Sequence, residues 1–206
     1  MRGQAQGRAG IMTRVFITGT AGFIGYHLAD LLLDEGVEVH GFDGMTDYYD
    51  VALKKRRHLM LLQNPNFAAT EGMLEDQALF DTVADDFAPD VIVHLASIVT
   101  PPKRMRREIA YEVDVTGTQN VLNAAVENGV RRLIVTSSGA AYGYHADNPV
   151  PLRETDPLRG NAAFPYAYHK RLVEEMLTKA RQDSPELEQV VLRVGTVLGQ
   201  GTDNQI

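Results

Sequence analysis

The sequence predicts an α/β fold in which a doubly wound parallel sheet carries helices on both faces. Short apolar segments alternate with helical patterns from residue 15 onward, and a glycine-rich turn joins the first segment to the first helical pattern. Right-handed crossovers between parallel strands would place a crevice beside the first strand, at the carboxyl edge of the sheet. We therefore expect ligands at that edge.

The elements are predicted from apolar runs, helical periodicity and breaker residues. Apolar runs predict strands at residues 15–18, 37–42, 67–70, 91–95, 133–137 and 189–194. Helical patterns cover residues 23–35, 51–62, 75–87, 104–128 and 166–181, with Gly36, Pro89 and Gly129 as stop signals. In the first helix, the apolar positions at helical spacing are Ile24, Leu28, Leu31 and Leu32. Residues 138–165 form a long stretch rich in Pro, Asn and Gly, which is typical of a functional loop region.

The composition is that of an ordinary globular chain. Its 206 residues are 44% hydrophobic and 23% charged, and residues 13–206 are expected to form one domain. A net charge of −7 argues against nucleic acid or an anionic membrane as a partner. The lack of cysteine excludes disulfides and thiolate chemistry and fits a cytoplasmic protein. No apolar run approaches the roughly 20 residues of a membrane helix.

The first twelve residues read as a disordered lead-in. They contain Arg, Gly and Gln but no apolar core of the kind that a secretory signal needs. Met12 is a plausible alternative start. We assign no residue of the chain as a metal ligand.

A glycine-rich turn follows the first strand. Gly19, Gly22 and Gly25 are spaced three apart between a predicted strand and a predicted helix. Glycines here permit a tight turn, close approach of a pyrophosphate to backbone N–H groups, and close packing of the helix on the strand. In this context the motif predicts a Rossmann-like dinucleotide site.

Asp43 ends the second strand, 18 residues after Gly25. A carboxylate there accepts hydrogen bonds from adenosine ribose hydroxyls and repels a 2′-phosphate, which favours NAD over NADP. The alternative is a turn aspartate beside Gly44. The basic run 54–57 could serve a 2′-phosphate, although a solvated helix face is the simpler interpretation.

Tyr166 and Lys170 lie four residues apart on a predicted helix and therefore share one face. The ammonium beside the phenol would lower the pKa of the Tyr166 hydroxyl from its usual value of about 10. Such a phenol can accept a proton from an alcohol near neutral pH. Tyr168 is a poorer candidate because it is only two residues from Lys170. His94 ends the fourth strand, but it reads equally well as a core histidine, so we assign it no chemistry.

These motifs occur in the order seen in extended short-chain dehydrogenases/reductases, which the chain resembles over about residues 13–201. The residues that carry the resemblance are Gly19, Gly22, Gly25, Asp43, the run 94–96, the run 136–143, Tyr166, Lys170, Leu192 and Arg193. This is the NAD-dependent nucleotide-sugar epimerase/dehydratase family. The stretch 41–54 is similar to the same region of UDP-glucuronate 4-epimerases.

The resemblance implies roles for individual residues. Tyr166 would be the acid and base, Lys170 would support it and hold the nicotinamide ribose, and Ser138 would orient the reacting oxygen, with Ser137 as the alternative. The other implied cofactor-binding residues are Gly19, Gly22, Phe23, Ile24, Gly25, Asp43, Leu74, Leu95 and Ala96. The implied cofactor is NAD, the implied substrate a nucleotide-sugar such as a UDP-hexose or UDP-hexuronate. The implied assembly is a homodimer through the helices at 104–128 and 166–181.

The chain also departs from the family pattern. Met73 stands where an acidic residue often helps to hold adenine, Asp114 replaces an Asn, and Gly195-Thr196 replaces Phe-Asn at the substrate diphosphate. Members usually continue past the sixth strand into a small domain that closes over the substrate, so most of that domain is expected to be missing here. Two alternatives therefore stay open: a dehydrogenase or reductase of a non-sugar alcohol or ketone, and a module that binds NAD without turnover.

Overall fold

The sheet is parallel throughout and has the predicted order reversal. A computed structural model describes residues 13–47, 50–99 and 106–197. The strands are β1 (Arg14–Thr18), β2 (Glu38–Asp43), β3 (Phe67–Glu71), β4 (Val91–His94), β5 (Arg132–Ser138) and β6 (Glu188–Val194), in the order β3-β2-β1-β4-β5-β6. Thr18 pairs with Phe42 on one side and with His94 on the other. The order therefore reverses at β1, which confirms the predicted crevice position.

The helices cover both faces of this sheet, so the predicted doubly wound fold is confirmed. They are α1 (Phe23–Asp34), α2 (Val51–Leu61), α3 (Gln77–Phe87), α4 (Arg107–Tyr111), α5 (Gly117–Glu127) and α6 (Pro165–Asp183). A 3₁₀ turn at Gly139–Tyr142 begins the predicted loop region. The expected lead-in 1–12 lies outside the described residues.

The predicted long helix over 104–128 is helical throughout residues 107–127, but it is not α-helical throughout. A π-helical turn, Glu112–Thr116, separates α4 from α5, and residues 104 and 105 lie outside the described residues. The turn holds the buried carboxylate of Asp114, which bonds to a neighbouring loop and to α6. Single π turns inside helices often mark functional sites. Apolar periodicity does not reveal them, because a wider turn only shifts the phase of the pattern.

The predicted apolar face of α1 was right at two of its four positions, since Leu28 and Leu32 pack against the core. The helix buries Gly25, Ala29 and Leu33, whereas Ile24 and Leu31 are 38% and 60% exposed. A Cβ on Gly25 would overlap the backbone oxygen of Gly19. Small residues therefore face the sheet, because they let α1 approach the turn after β1 closely.

Two apolar clusters lie on opposite faces of the sheet. Side chains alternate along β1, so Phe16 packs into one cluster while Val15 and Ile17 pack into the other. The Phe16 cluster includes residues of α3, α5 and α6, and the other includes residues of α1 and α2. Both layers leave the carboxyl ends of β1, β2 and β4 open. No helix in the described ranges is long and apolar enough to cross a membrane.

Candidate dinucleotide site and proton-transfer residues

A cleft of about 150 Å³ opens at the carboxyl edge where β1, β2 and β4 end. Six of the residues predicted to hold the cofactor line it: Gly19, Gly22, Asp43, Leu74, Leu95 and Ala96. Its wall also contains residues that the sequence did not single out as site residues: Gly44, Thr46, Gly72, Glu75, Ser97, Ile98 and Val113. The cleft therefore lies at the predicted switch point of the sheet.

The glycine turn is built for close approach. Gly19 has φ of +81° and its N–H donates to Phe42 O at 2.7 Å, while Gly22 N–H donates to Gly19 O at 3.0 Å. A Cβ on Gly19 would meet Ala96 N at 3.1 Å. The turn thus leaves a backbone cradle before α1, which fits a pyrophosphate at a helix N-terminus. Phe23, Ile24 and Gly25 begin α1 and are not among the described residues that line the cleft.

Asp43 occupies the position expected for ribose recognition. Its Oδ2 accepts from Ala21 N–H and its Oδ1 from Met45 N–H, both at 2.9 Å. These bonds orient the carboxylate at the end of β2, and each oxygen keeps a further acceptor site for a ribose hydroxyl. The remaining acceptor positions of the carboxylate therefore fit the hydroxyl groups of an adenosine ribose.

The expectation that the basic run 54–57 forms a solvated face was wrong for two of its residues. Lys54 and Arg57 are only 5% and 9% exposed. Lys54 lines the cleft, and its Nζ donates to Thr46 O at 2.9 Å and to Thr46 Oγ1 at 3.2 Å. Lys54 and Arg57 are three residues apart and therefore share one face of α2, which meets the cleft wall. The run thus spans the boundary between the buried and the solvated side of the helix.

Lys170 is buried at the start of α6, beside the end of β5. Its Nζ donates to Thr136 O at 2.9 Å and lies 5.6 Å from the ring centroid of Tyr166. Burial lowers the pKa of Lys170, and the carboxylates of Asp114 and Glu174 oppose that shift. The structure therefore brings the predicted pair together on one helix face, although neither residue is among those that line the dinucleotide cleft.

Ser137 and Ser138 have different surroundings. Ser137 is buried, and its hydroxyl donates to Glu174 Oε1 at 2.5 Å. Ser138 is half-buried and accepts from Ala140 N–H at 3.1 Å, which leaves its hydroxyl hydrogen for another acceptor. Ser138 therefore stays the candidate that the family resemblance implies.

Glu174 is the centre of a buried polar network that the sequence did not predict. Arg193 donates to it through Nε and Nη2, at 2.9 and 2.7 Å to Oε2, and through Nη1 to the hydroxyl of Tyr142 at 2.6 Å. These bonds, chiefly those to Glu174, raise the pKa of Arg193. The network joins β5, α6 and β6 beneath Ser138. The run 136–143, which contains Ser137 and Tyr142, and the Leu192-Arg193 motif were the sequence signals for it.

His94 is a core histidine, as one of the two interpretations expected. Thr118 Oγ1 donates to Asp114 O at 2.6 Å, so it accepts from His94 Nε2–H at 2.9 Å. The other ring nitrogen, Nδ1, then accepts from Thr18 Oγ1 at 2.7 Å. Burial, aided by the Lys170 charge, lowers the pKa of His94 to about 3. The ring is therefore neutral and links β1, β4 and α5.

The sequence is similar to that of known proteins. Residues 15–206 match the sequence model of the NAD dependent epimerase/dehydratase family. A probable UDP-glucuronate 4-epimerase of Rhizobium meliloti (strain 1021) is 43% identical over 144 residues, which are 69% of this chain and 42% of the relative. A UDP-glucose 4-epimerase of Erwinia amylovora is 28% identical over 93% of this chain and 56% of its own length.

Solved structures agree in fold. The Bordetella bronchiseptica enzyme WbmH in complex with NAD+ superposes with a TM-score of 0.78 and 31% identity, over 94% of this chain and 60% of that one. UDP-glucuronic acid 4-epimerase from Bacillus cereus in complex with NAD gives a TM-score of 0.77 at 25% identity, over 91% and 58%. The chain spans about half the length of these relatives.

Proposed function

Because the chain belongs to the NAD dependent epimerase/dehydratase family, we propose that it carries the cofactor-binding and proton-transfer half of an enzyme that epimerises a nucleotide-sugar. A UDP-hexose or UDP-hexuronate 4-epimerase is the proposed activity, since the relatives include enzymes named for UDP-glucose and for UDP-glucuronate. The observation that carries the proposal is the Tyr166–Lys170 pair, which lies at the start of α6 beside the end of β5.

NAD, the family's cofactor, supplies a hydride acceptor and donor when bound. The backbone cradle of Gly19 and Gly22 would hold its pyrophosphate, and Asp43 would accept from its adenosine ribose. Leu95 and Ala96, at the end of β4, would contact the dinucleotide within the cleft.

Tyr166 would take the proton of the substrate hydroxyl as the hydride leaves the same carbon. Lys170 supports this role because a buried ammonium, held by Thr136 O beside the phenol, favours the phenolate form. Ser138 would donate its hydroxyl hydrogen to the reacting oxygen. In an epimerase the resulting ketone would rotate within the site and take the hydride back on its other face, while Tyr166 returns the proton.

Replacement of Tyr166 by Phe tests this role. We expect Tyr166→Phe to lower kcat by about 10²-fold or more, the usual size of a lost acid–base group. The matched control is Tyr168→Phe on the same helix, whose ring lies under the Arg171 guanidinium at 5.0 Å. The assay supplies NAD with UDP-glucuronate or UDP-glucose, follows the epimer by chromatography and monitors NADH absorbance.

The outcome separates the candidate functions. Epimer formation that survives Tyr168→Phe and is lost in Tyr166→Phe supports the proposal. Accumulation of NADH without epimer would favour a dehydrogenase, an alternative that Gly195-Thr196 in place of Phe-Asn keeps open. NAD binding without turnover would favour a binding module. Equal activity of Tyr166→Phe and wild type would reject the mechanism.

Assembly and location are also proposals. We propose a homodimer through the helices at 104–128 and 166–181, of which the structure describes α4, α5 and α6. Ile109 and Tyr111 on α4 are exposed apolar or aromatic residues that such an interface could bury. A cytoplasmic location stays a prediction from the lack of cysteine.

A further inference from the structure

We propose that Lys54 is a second residue for recognising the adenosine ribose, and that it strengthens the binding of either NAD or NADP while Asp43 rejects the 2′-phosphate of NADP. The inference concerns cofactor binding and rests on the dinucleotide site proposed above. It goes beyond that site because it assigns a role to a buried cation that the glycine motif and the acidic rule do not include.

The position of Lys54 is defined by its contacts. Its ammonium lies in the wall of the cleft, tied to Thr46 O and Thr46 Oγ1, in the loop that follows Asp43. The side chain belongs to α2, so the helix brings a cation back to the carboxyl end of β2. Both charges therefore face the region where the ribose nearest the second strand is expected.

Burial makes this cation responsive to a ligand. Desolvation lowers the pKa of Lys54, and the carboxylates of Asp43 and Asp47 oppose the shift. A desolvated ammonium gains more from an oxygen acceptor than a solvated one does. An adenosine ribose offers such oxygens.

A hydroxyl group suits an anion–cation pair in particular. Its hydrogen can be donated to Asp43 while its oxygen accepts from Lys54, so both charges bind the same ribose. A 2′-phosphate offers only acceptors, which Lys54 attracts and Asp43 repels. Rejection of NADP would therefore depend on Asp43 alone, while Lys54 contributes to the binding of either cofactor.

Other basic residues of α2 do not share this position. Arg57 is held at Ala21 O, 3.5 Å from its Nη1, with its guanidinium 5.7 Å from the Phe23 ring centroid. Lys55 follows Lys54 on α2 but is exposed to solvent. Lys55→Met is therefore a matched control that removes the same charge from the same helix.

Calorimetric titration of NAD and NADP into four variants tests the pair. We expect Lys54→Met to weaken NAD binding about tenfold, the usual worth of a hydrogen bond to a charged group, and Lys55→Met to leave it unchanged. Asp43→Asn should strengthen NADP binding by about tenfold or more, because it removes the repelling charge. The double variant Asp43→Asn/Lys54→Met should lose that gain.

The inference is overturned if Lys54→Met binds NAD as tightly as wild type, if the double variant binds NADP as tightly as Asp43→Asn, or if wild type binds no NAD. Urea unfolding of each variant, with Lys54→Gln as a second replacement, separates a binding loss from misfolding. The titration needs no sugar substrate, so a failed epimerase assay leaves its result intact.

Discussion

His169 Nδ1 lies 2.9 Å from Asp114 Oδ2, and both side chains are nearly inaccessible to solvent, at 4% and 3% exposure. The other oxygen of Asp114 accepts from Ser97 Oγ at 2.9 Å and from Ile98 N–H at 2.8 Å. The carboxylate therefore ties the cleft wall after β4 to the helix that carries Tyr166 and Lys170.

Replacement of His169 should destabilise the protein in proportion to the donor it removes. His169→Phe leaves the Oδ2 of Asp114 buried without this donor, which we expect to cost about 2–3 kcal/mol of unfolding free energy. His169→Asn places an amide donor near the Nδ1 position and should cost only about 1 kcal/mol. Urea unfolding of both variants makes the comparison; equal losses would show that Asp114 does not depend on this hydrogen bond.

The Glu174–Arg193 pair should behave as a buried ion pair. Removal of the cation in Arg193→Met leaves the buried carboxylate of Glu174 without its partner charge. We expect this to lower the unfolding free energy by about 3 kcal/mol, the low end of the range for a broken buried ion pair, because the arginine is partly exposed. The double variant Glu174→Gln/Arg193→Met should recover at least about 1 kcal/mol. A double variant no more stable than Arg193→Met would contradict this.

The control for that series lies on the same helix. Arg171 and Glu175 form a more exposed pair at 3.5 Å, so Arg171→Met should cost less than about 1 kcal/mol. Thermal or urea unfolding of Arg171→Met and Arg193→Met at one pH gives the contrast directly.

His94 should make the protein sensitive to mild acid. Its folded pKa of about 3 lies below the usual 6.5, so between those values the unfolded chain binds an extra proton and stability falls as pH falls. From pH 7 to pH 5 this amounts to about 2 kcal/mol. The loss between the two pH values should be smaller by that amount in His94→Gln than in wild type, as measured by urea unfolding.

If His94→Gln lost as much stability between pH 7 and pH 5 as wild type, the ring would not be the source of the acid sensitivity.

Substitutions at Gly19 and Gly36 distinguish the cost of backbone strain from the loss of a cofactor contact. Both have positive φ, but a Cβ on Gly36 meets nothing within 4 Å, whereas one on Gly19 meets Ala96 N at 3.1 Å. Gly36→Ala should cost about 1 kcal/mol and leave NAD affinity unchanged. Gly19→Ala should also weaken NAD binding by about tenfold or more, because the pyrophosphate approaches this backbone. Calorimetry and urea unfolding measure the two effects, and equal NAD affinity of the two variants would contradict the cradle.

Much of the cleft could be predicted from the sequence because its motifs are local. Gly19, Gly22 and Asp43 follow strands that apolar runs reveal, and parallel strands bring their carboxyl ends to one edge. The facing of α1 was predicted only in part, because close packing at Gly25 turns its small residues toward the sheet. The π turn at Glu112–Thr116 was missed because periodicity cannot register one wider turn.

Local sequence was enough to predict the alternation of strands and helices, the glycine turn and the spacing of Tyr166 and Lys170, since each depends on neighbours within a few residues. Which polar groups are buried together depends instead on how distant segments pack. Tertiary packing brings Ser137 to Glu174 and Lys54 near Asp43, and no local sequence pattern encodes either contact. Burial then sets their chemistry, because a charge removed from water must find its partner within the fold.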